Sequence, residues 1–280
     1  MKRTMSSGPR TGAFTKALLV LFALAVCAAP AAAITWGQKD TAGNFPNVGT
    51  ILASMGGTVY QWCSGTLIDE RVFLTAGHCT VNLQKYIDSG LVEQVWVSFD
   101  FDPFAAAHTW LEVSSVITHP DFAFKPQSNW HDNGALILTL PVVGIEPAHL
   151  PEEGFLDQLR ADGMLGHGTN GAKFRVVGYG ASLSFPPPGS YKENVRQFAL
   201  SEFRALLPAW LRMSQQGRTG DGGTCYGDSG GPTFWEAGGE RILVATATWG
   251  DMPCVTSGFN QRLDVASALS FIQGVIGRLP

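Results

Sequence analysis

Gly227-Asp228-Ser229-Gly230-Gly231-Pro232 is the stretch on which the reading of this 280-residue chain turns. Glycines around one serine let the backbone turn sharply and leave the hydroxyl approachable. They also free backbone N–H groups to face an oxygen that gains negative charge during acyl transfer. Read only as Gly-x-Ser-x-Gly, the stretch fits the nucleophile elbow of α/β-hydrolases as well. Chain order separates the two. That fold places its histidine after the serine, and no histidine follows Ser229, the last being His167.

A serine hydroxyl is a weak nucleophile at neutral pH and needs a base. Among the six histidines, only His78 has a distinctive setting, in Thr75-Ala76-Gly77-His78-Cys79. A cysteine beside it, at the end of an apolar run, can clamp the ring in place. The base in turn needs a carboxylate to fix its tautomer and steady the imidazolium. Asp132 fits, in His131-Asp132-Asn133-Gly134-Ala135-Leu136-Ile137-Leu138, where an apolar strand can draw it inside. His131 reads as a surface neighbour. Asp221, Asp228 and Asp251 are further carboxylates within reach of the serine segment along the chain.

Taken together, Cys63-Ser64-Gly65-Thr66-Leu67-Ile68, Thr75–Cys79, Asp132 and Gly227–Pro232 resemble the trypsin/chymotrypsin family of serine proteases, in that family's order His, Asp, Ser. The resemblance implies an all-β fold: two antiparallel six-stranded β-barrels with a C-terminal helix. His78 and Asp132 would come from the first barrel and Ser229 from the second. It implies a secreted serine endopeptidase working through a Ser229–His78–Asp132 triad and an acyl-enzyme, with Gly227 and Ser229 N–H groups as the oxyanion hole. Thr248 matches a family serine that hydrogen-bonds the catalytic aspartate. Cys63–Cys79 and Cys225–Cys254 match two family disulfides. Ile34-Thr35-Trp36-Gly37 resembles the family's mature N-terminus, whose new α-amino group pairs with the aspartate before the catalytic serine, here Asp228. Thr35 and Trp36 depart from that pattern.

By the same alignment Gly223 forms the floor of the substrate pocket, with Gly250 and Gly258 on its walls and Thr224, Thr248 and Trp249 beside them. An uncharged floor implies a neutral, apolar or aromatic residue at P1, the position just before the cut bond. The short Cys254–Gly258 loop leaves Asp221 or Asp251 as carboxylates that could face the pocket instead.

Further out, composition agrees with a turn-rich β protein. Gly is 33 of 280 residues, about 12%, where about 7% is usual. Apolar residues are 45%, ample for a core. A formal charge of −4 with no basic run argues against nucleic-acid binding. Short β-rich runs appear at Val48–Ser54, Thr58–Trp62, Val72–Thr75, Val95–Phe99, Leu111–Thr118, Ala135–Leu140, Phe174–Gly178, Val195–Leu200 and Ile242–Trp249. Pro141–Gly154 reads as a linker; Pro186–Gly189 and Gly217–Gly223 read as loops. Val265, Ala268, Leu269, Ile272, Val275 and Ile276 recur at helical spacing behind Asp264, a candidate N-cap, and predict a terminal helix packed on the second half.

Lys2, Arg3, Arg10 and Lys16 precede an apolar run over 17–29 that closes on Ala31-Ala32-Ala33. This is the order of a secretory signal. The expected division is 1–33 signal, 34–148 first barrel, 149–280 second barrel and helix. Cleavage after Ala33 takes the formal charge to −8 and removes Cys27, leaving four cysteines. It also puts Ile34 at the new N-terminus, so that signal peptidase itself would free the activating end. Few disulfides and no Asn-x-Ser/Thr site lean toward a bacterial secreted enzyme. No metal or cofactor is expected, since the cysteines and histidines lack ligand spacing. The expected partners are protein or peptide substrates and protein inhibitors, with no nucleic acid and no stable membrane association, and the expected state is a monomer. The rival readings are a catalytically silent binding module, a periplasmic or surface-anchored form with Cys27 lipidated or the signal retained, and a subtilisin-like Asp, His, Ser order. Asp40 precedes His78, but Lys39-Asp40-Thr41 carries no matching motif.

Overall fold

The computed structural model describes residues 34–168, 171–184, 189–191 and 194–279. The expected signal at 1–33, Cys27 within it, and Pro186–Pro188 lie outside the described residues.

The first strand of the described residues is short, β1 (Gln38–Lys39). Six strands follow: β2 (Val48–Met55), β3 (Thr58–Asp69), β4 (Val72–Thr75), β5 (Gln94–Ser98), β6 (Leu111–Thr118) and β7 (Gly134–Leu138). They close into an antiparallel barrel in the order β2-β3-β4-β7-β6-β5. Alternation turns Ile51, Leu67, Phe73, Val97, Leu136 and Leu138 inward as its core. Between β4 and β5 runs α1 (Gly77–Asp88).

After α2 (Phe155–Ala161) the second barrel starts with β8 (Lys173–Gly178). A small hairpin, β9 (Ser182–Ser184) and β10 (Gly189–Tyr191), precedes β11 (Gln197–Leu206) and β12 (Trp210–Ser214). β13 (Pro232–Ala237), β14 (Glu240–Gly250) and β15 (Ser257–Arg262) complete it. The ring runs β11-β12-β15-β14-β13-β8 and closes by β8–β11 pairing; β1 adds to β11. Two six-stranded antiparallel barrels are therefore present, as the sequence implies. Gly189, expected in a loop, starts β10.

The terminal helix is α3 (Ala266–Ile276). Its apolar face does not stay on the second barrel. Ala268, Phe271, Ile272 and Val275 join Val72, Leu74 and Ala135 of the first barrel and Val177, Phe234 and Leu243 of the second in one seam. A wide apolar stripe on a short helix covers more than one neighbour. Asp264 does not cap α3 with its side chain; Val265 holds the N-cap position. The Asp264 carboxylate instead accepts from Arg262 Nε (2.8 Å) and from the Leu156 N–H (2.8 Å).

A buried polar knot crosses between the halves. Arg196, 3% exposed, donates Nε–H to Asp40 Oδ2 (2.8 Å) and also reaches the Phe99 carbonyl (2.8 Å) and the Tyr179 hydroxyl (3.0 Å). Burial pushes the Tyr179 pKa up, against the pull of Arg196. Asp40 also accepts the Asn44 N–H (2.7 Å) and Phe45 N–H (3.2 Å), so its place is structural. The triad order it would have served is not built here.

Candidate active site

β4 ends at Thr75, and extended Ala76 turns the chain into α1. His78 thereby sits in the first helical turn, where backbone N–H groups lack intrahelical partners. The Cys63–Cys79 disulfide ties that turn to β3. Asp132 arrives from the β6–β7 connection, just ahead of Gly134. His131, at φ +50°, puts a sharp bend before it, and the Asn133 N–H closes the bend on the His131 carbonyl (2.8 Å). His131 stacks on His119 (5.0 Å) and is half-buried.

Asp132 is fully buried. It accepts the His78 backbone N–H at Oδ1 (2.7 Å) and faces His78 Nδ1 at 2.9 Å from Oδ2 and 3.2 Å from Oδ1. The helix N-terminus favours negative charge at this spot. The Asp132 N–H donates to Gln261 Oε1 (3.2 Å). Thr248 does not take the place expected for it: its hydroxyl donates to the Thr246 carbonyl (3.4 Å), and it is not among the partners of Asp132 among the described residues.

Ser229 lies in a turn held from both barrels. The Gly231 N–H reaches the Asp228 carbonyl (2.8 Å), and the Gly230 N–H reaches Ala247 (2.7 Å). From β3, the Ser64 hydroxyl (3.0 Å) and Gln61 Nε2 (3.1 Å) donate to the Gly227 carbonyl, and the Ser64 N–H donates to the Ser229 carbonyl (3.0 Å). Gly230 explains how the turn comes so near the end of β4. It adopts φ +77°, and a β-carbon on it would stand 2.1 Å from Thr75 Oγ1 and 2.5 Å from the Ala76 nitrogen. Only glycine fits there. Gly227 also lies at positive φ, +95°.

His78 and Ser229 line one cleft of about 310 Å³ with Thr224, Thr248, Trp249, Gly250, Asp251 and Met252. The Cys225–Cys254 disulfide borders it. Gly223 and Gly258, expected on its floor and wall, do not line it; both back onto the side chain of Gln215. The two carboxylates that could have faced it are engaged. Asp221 is buried against Lys173 Nζ (3.1 Å) and the Thr219 hydroxyl (2.8 Å). Asp251 accepts the N–H groups of Val255, Thr256 and Ser257 (3.0, 2.9 and 2.8 Å), closing its own loop.

Ile34 is fully buried in the core of the second barrel. Thr35 and Gly223 exchange backbone hydrogen bonds (2.9 and 3.1 Å), and the Thr35 hydroxyl adds a third (3.0 Å). Trp36 accommodates its departure from glycine by adopting φ +56° and lying over Gly217, where a β-carbon would meet its ring at 2.3 Å. The Asp228 carboxylate is fully buried and accepts the Gly180 and Cys225 N–H groups (2.7 and 2.8 Å).

Residues 34–272 match the sequence profile described as Trypsin. The chain belongs to the trypsin family. As a trypsin-family protein it is a serine endopeptidase. It is 26% identical over 260 residues to alkaline trypsin C of Manduca sexta, covering 84% of this chain and 88% of that one. Similarity to CLIP domain-containing serine protease B15 of Anopheles gambiae is 24% over 266 residues, 87% of this chain and 69% of the other. To kallikrein 1-related peptidase b27 of Mus musculus it is 28% over 219 residues, 69% of this chain and 71% of the other. Among the described residues no helix is long and apolar enough to cross a membrane.

Gln61, Ser64, Gln215 and Gln261 are the site residues that sequence reading misses. Ser64 follows Cys63 in a quoted motif, so its nearness was legible, though not its grip on Gly227. The three glutamines carry no local signal at all.

Proposed function

We propose that Ser229, His78 and Asp132 are the catalytic triad of this endopeptidase. The observation that carries the reading is the buried Asp132 carboxylate against His78 Nδ1, on a histidine that shares its cleft with Ser229. In the Nδ1–H tautomer the Asp132 bond leaves Nε2 free to accept. Ser229 Oγ attacks the peptide carbonyl while His78 Nε2 takes its proton. The imidazolium passes that proton to the leaving amine, and the acyl-enzyme forms. Water then repeats the sequence, giving its proton to His78 and its oxygen to the acyl carbon, and Ser229 is restored. The N–H groups of Gly227 and Ser229 are the donors for the oxyanion; losing one such donor costs about 3–4 kcal/mol in other hydrolases.

Thr224, Thr248, Trp249 and Gly250 receive a neutral P1 side chain in this reading, since no carboxylate in the cleft is left unengaged to greet a cation. Ile34 is the mature N-terminus, and its α-amino group pairs with Asp228. Support comes from the buried Ile34 side chain and the Thr35–Gly223 pairing, which place that end beside the pocket loop. The enzyme is secreted once residues 1–33 are removed, and acts as a monomer on protein substrates. Fluorophosphonate labelling tests the triad: folded protein takes one label at Ser229, and Ser229→Ala abolishes both label and peptide hydrolysis. Labelling elsewhere, or activity in the alanine variant, overturns it.

A further inference from the structure

Gln215 follows the last residue of β12 and is 2% exposed. Its amide occupies the space between three glycines. A β-carbon on Gly223 would stand 2.2 Å from Gln215 Cγ and 2.4 Å from Nε2. One on Gly258 would stand 3.0 Å from Nε2, and one on Gly250 3.6 Å from Oε1. The floor and walls expected of glycine are thus backed by one side chain from the segment just after β12. Its backbone is fixed as well, the Gln215 N–H donating to Thr256 (3.1 Å).

The orientation of the amide is set by chemistry. Nε2 lies 2.7 Å from the Thr224 carbonyl; turning the amide over would set two oxygens against each other at that distance. Oε1 therefore faces the other way, on the Gly250 side, and among the described residues it has no hydrogen-bond partner. A buried acceptor left unpaired is costly until a donor reaches it.

We propose that Gln215 is the specificity-determining residue of this cleft: Oε1 receives a hydrogen bond from a neutral P1 side chain that ends in an N–H or O–H donor. The proposal rests on the reading that P1 enters the cleft beside Ser229, and it narrows that reading from neutral to neutral and donor-bearing. A lysine or arginine at P1 would bury its charge where the one carboxylate in the cleft, Asp251, is already engaged by three backbone N–H groups.

The test is kcat/KM on peptide pairs that differ only in the donor, Tyr against Phe and Gln against Met at P1. Active sites are counted with a fluorophosphonate. Wild-type enzyme is expected to favour the donor-bearing member by about tenfold in at least one pair. Gln215→Met keeps the bulk and removes the acceptor, and brings the ratio to within about twofold. Gln215→Glu puts a charge in the same place and raises Lys over Gln. Ratios near one in both wild-type pairs, or a preference that survives Gln215→Met, overturn the proposal. An active-site count of zero in wild type overturns the triad reading instead. Should Gln215→Met fail to fold, the wild-type ratios and Gln215→Glu decide the matter.

Discussion

His78 is held to Asp132 at two points, by its backbone N–H (2.7 Å) and by ring Nδ1 (2.9 Å). The first bond fixes where the residue stands; the second fixes which nitrogen carries the proton. Asp132→Asn separates them. Its side chain still fits and its oxygen still accepts one N–H. Its amide then donates to Nδ1, leaving Nε2 protonated and unable to serve as a base. We expect kcat to fall by about 10⁴, the scale found for this change in a Ser-His-Asp triad, with little change in Tm. A loss of less than tenfold in folded enzyme contradicts the role given to Asp132.

Gly230→Ala is expected to cost both stability and rate. The new β-carbon would meet Thr75 Oγ1 at 2.1 Å and the backbone nitrogen of Ala76 at 2.5 Å, at a φ of +77°. Strain and overpacking of this kind cost about 1–3 kcal/mol each. Because one obstacle is backbone, Thr75→Ala should not restore the double variant. Thermal unfolding and kcat together check this.

Asp40→Ala removes the partner of a buried guanidinium while Arg196 remains inside. Breaking such a pair costs about 3–5 kcal/mol, because an uncompensated charge is left behind. The cleft should stay chemically intact below the lowered Tm. Denaturant unfolding reads the first effect, and active-site titration at low temperature the second.

The protein should weaken in mild acid through His119. That residue is 5% exposed, and its Nδ1 accepts the Asp121 N–H (3.1 Å). Burial lowers its pKa; the Ser267 carbonyl raises it, stacked His131 lowers it further and Asp121 opposes. A proton on Nδ1 would face an N–H. The unfolded chain therefore binds a proton more readily than the fold does, and the fold loses stability as pH drops below the ordinary histidine value of about 6.5. His119→Gln should flatten the fall in Tm between neutral pH and about pH 5. An unchanged slope would assign the acid weakness to other groups.

N-terminal sequencing of secreted, active enzyme should begin at Ile34. Ile34→Gly should lose about 1.5–3 kcal/mol of burial and loosen Gly223 through Thr35. Active protein that begins at any other residue sinks the proposed activation.

The two barrels were legible because four motifs in one order resemble the trypsin/chymotrypsin family; the short β-rich runs by themselves fit barrels and sandwiches alike. Other elements were not, for physical reasons. α1 buries only Gly77, Cys79, Thr80 and Leu83, too thin a stripe to give a helical period. β12, β13 and β15 are short, and glycine, proline and polar residues interrupt their pattern. The Thr248 role failed because homology places a backbone, whereas hydroxyl direction follows local acceptors, here the Thr246 carbonyl. Gln215 was invisible, since what makes it matter is Gly223, Gly250 and Gly258 being folded around its side chain.

The Thr35–Gly223 pairing joins residues 188 positions apart. A chain still being made has Thr35 but not yet the loop that receives it. Until Gly223 has been made, Thr35 has no partner to pair with, and Ser229, further along the chain, does not yet exist. The anchor of Thr35 and the serine segment therefore come into being together, late in synthesis, and the cleft can close only when nearly the whole chain is present.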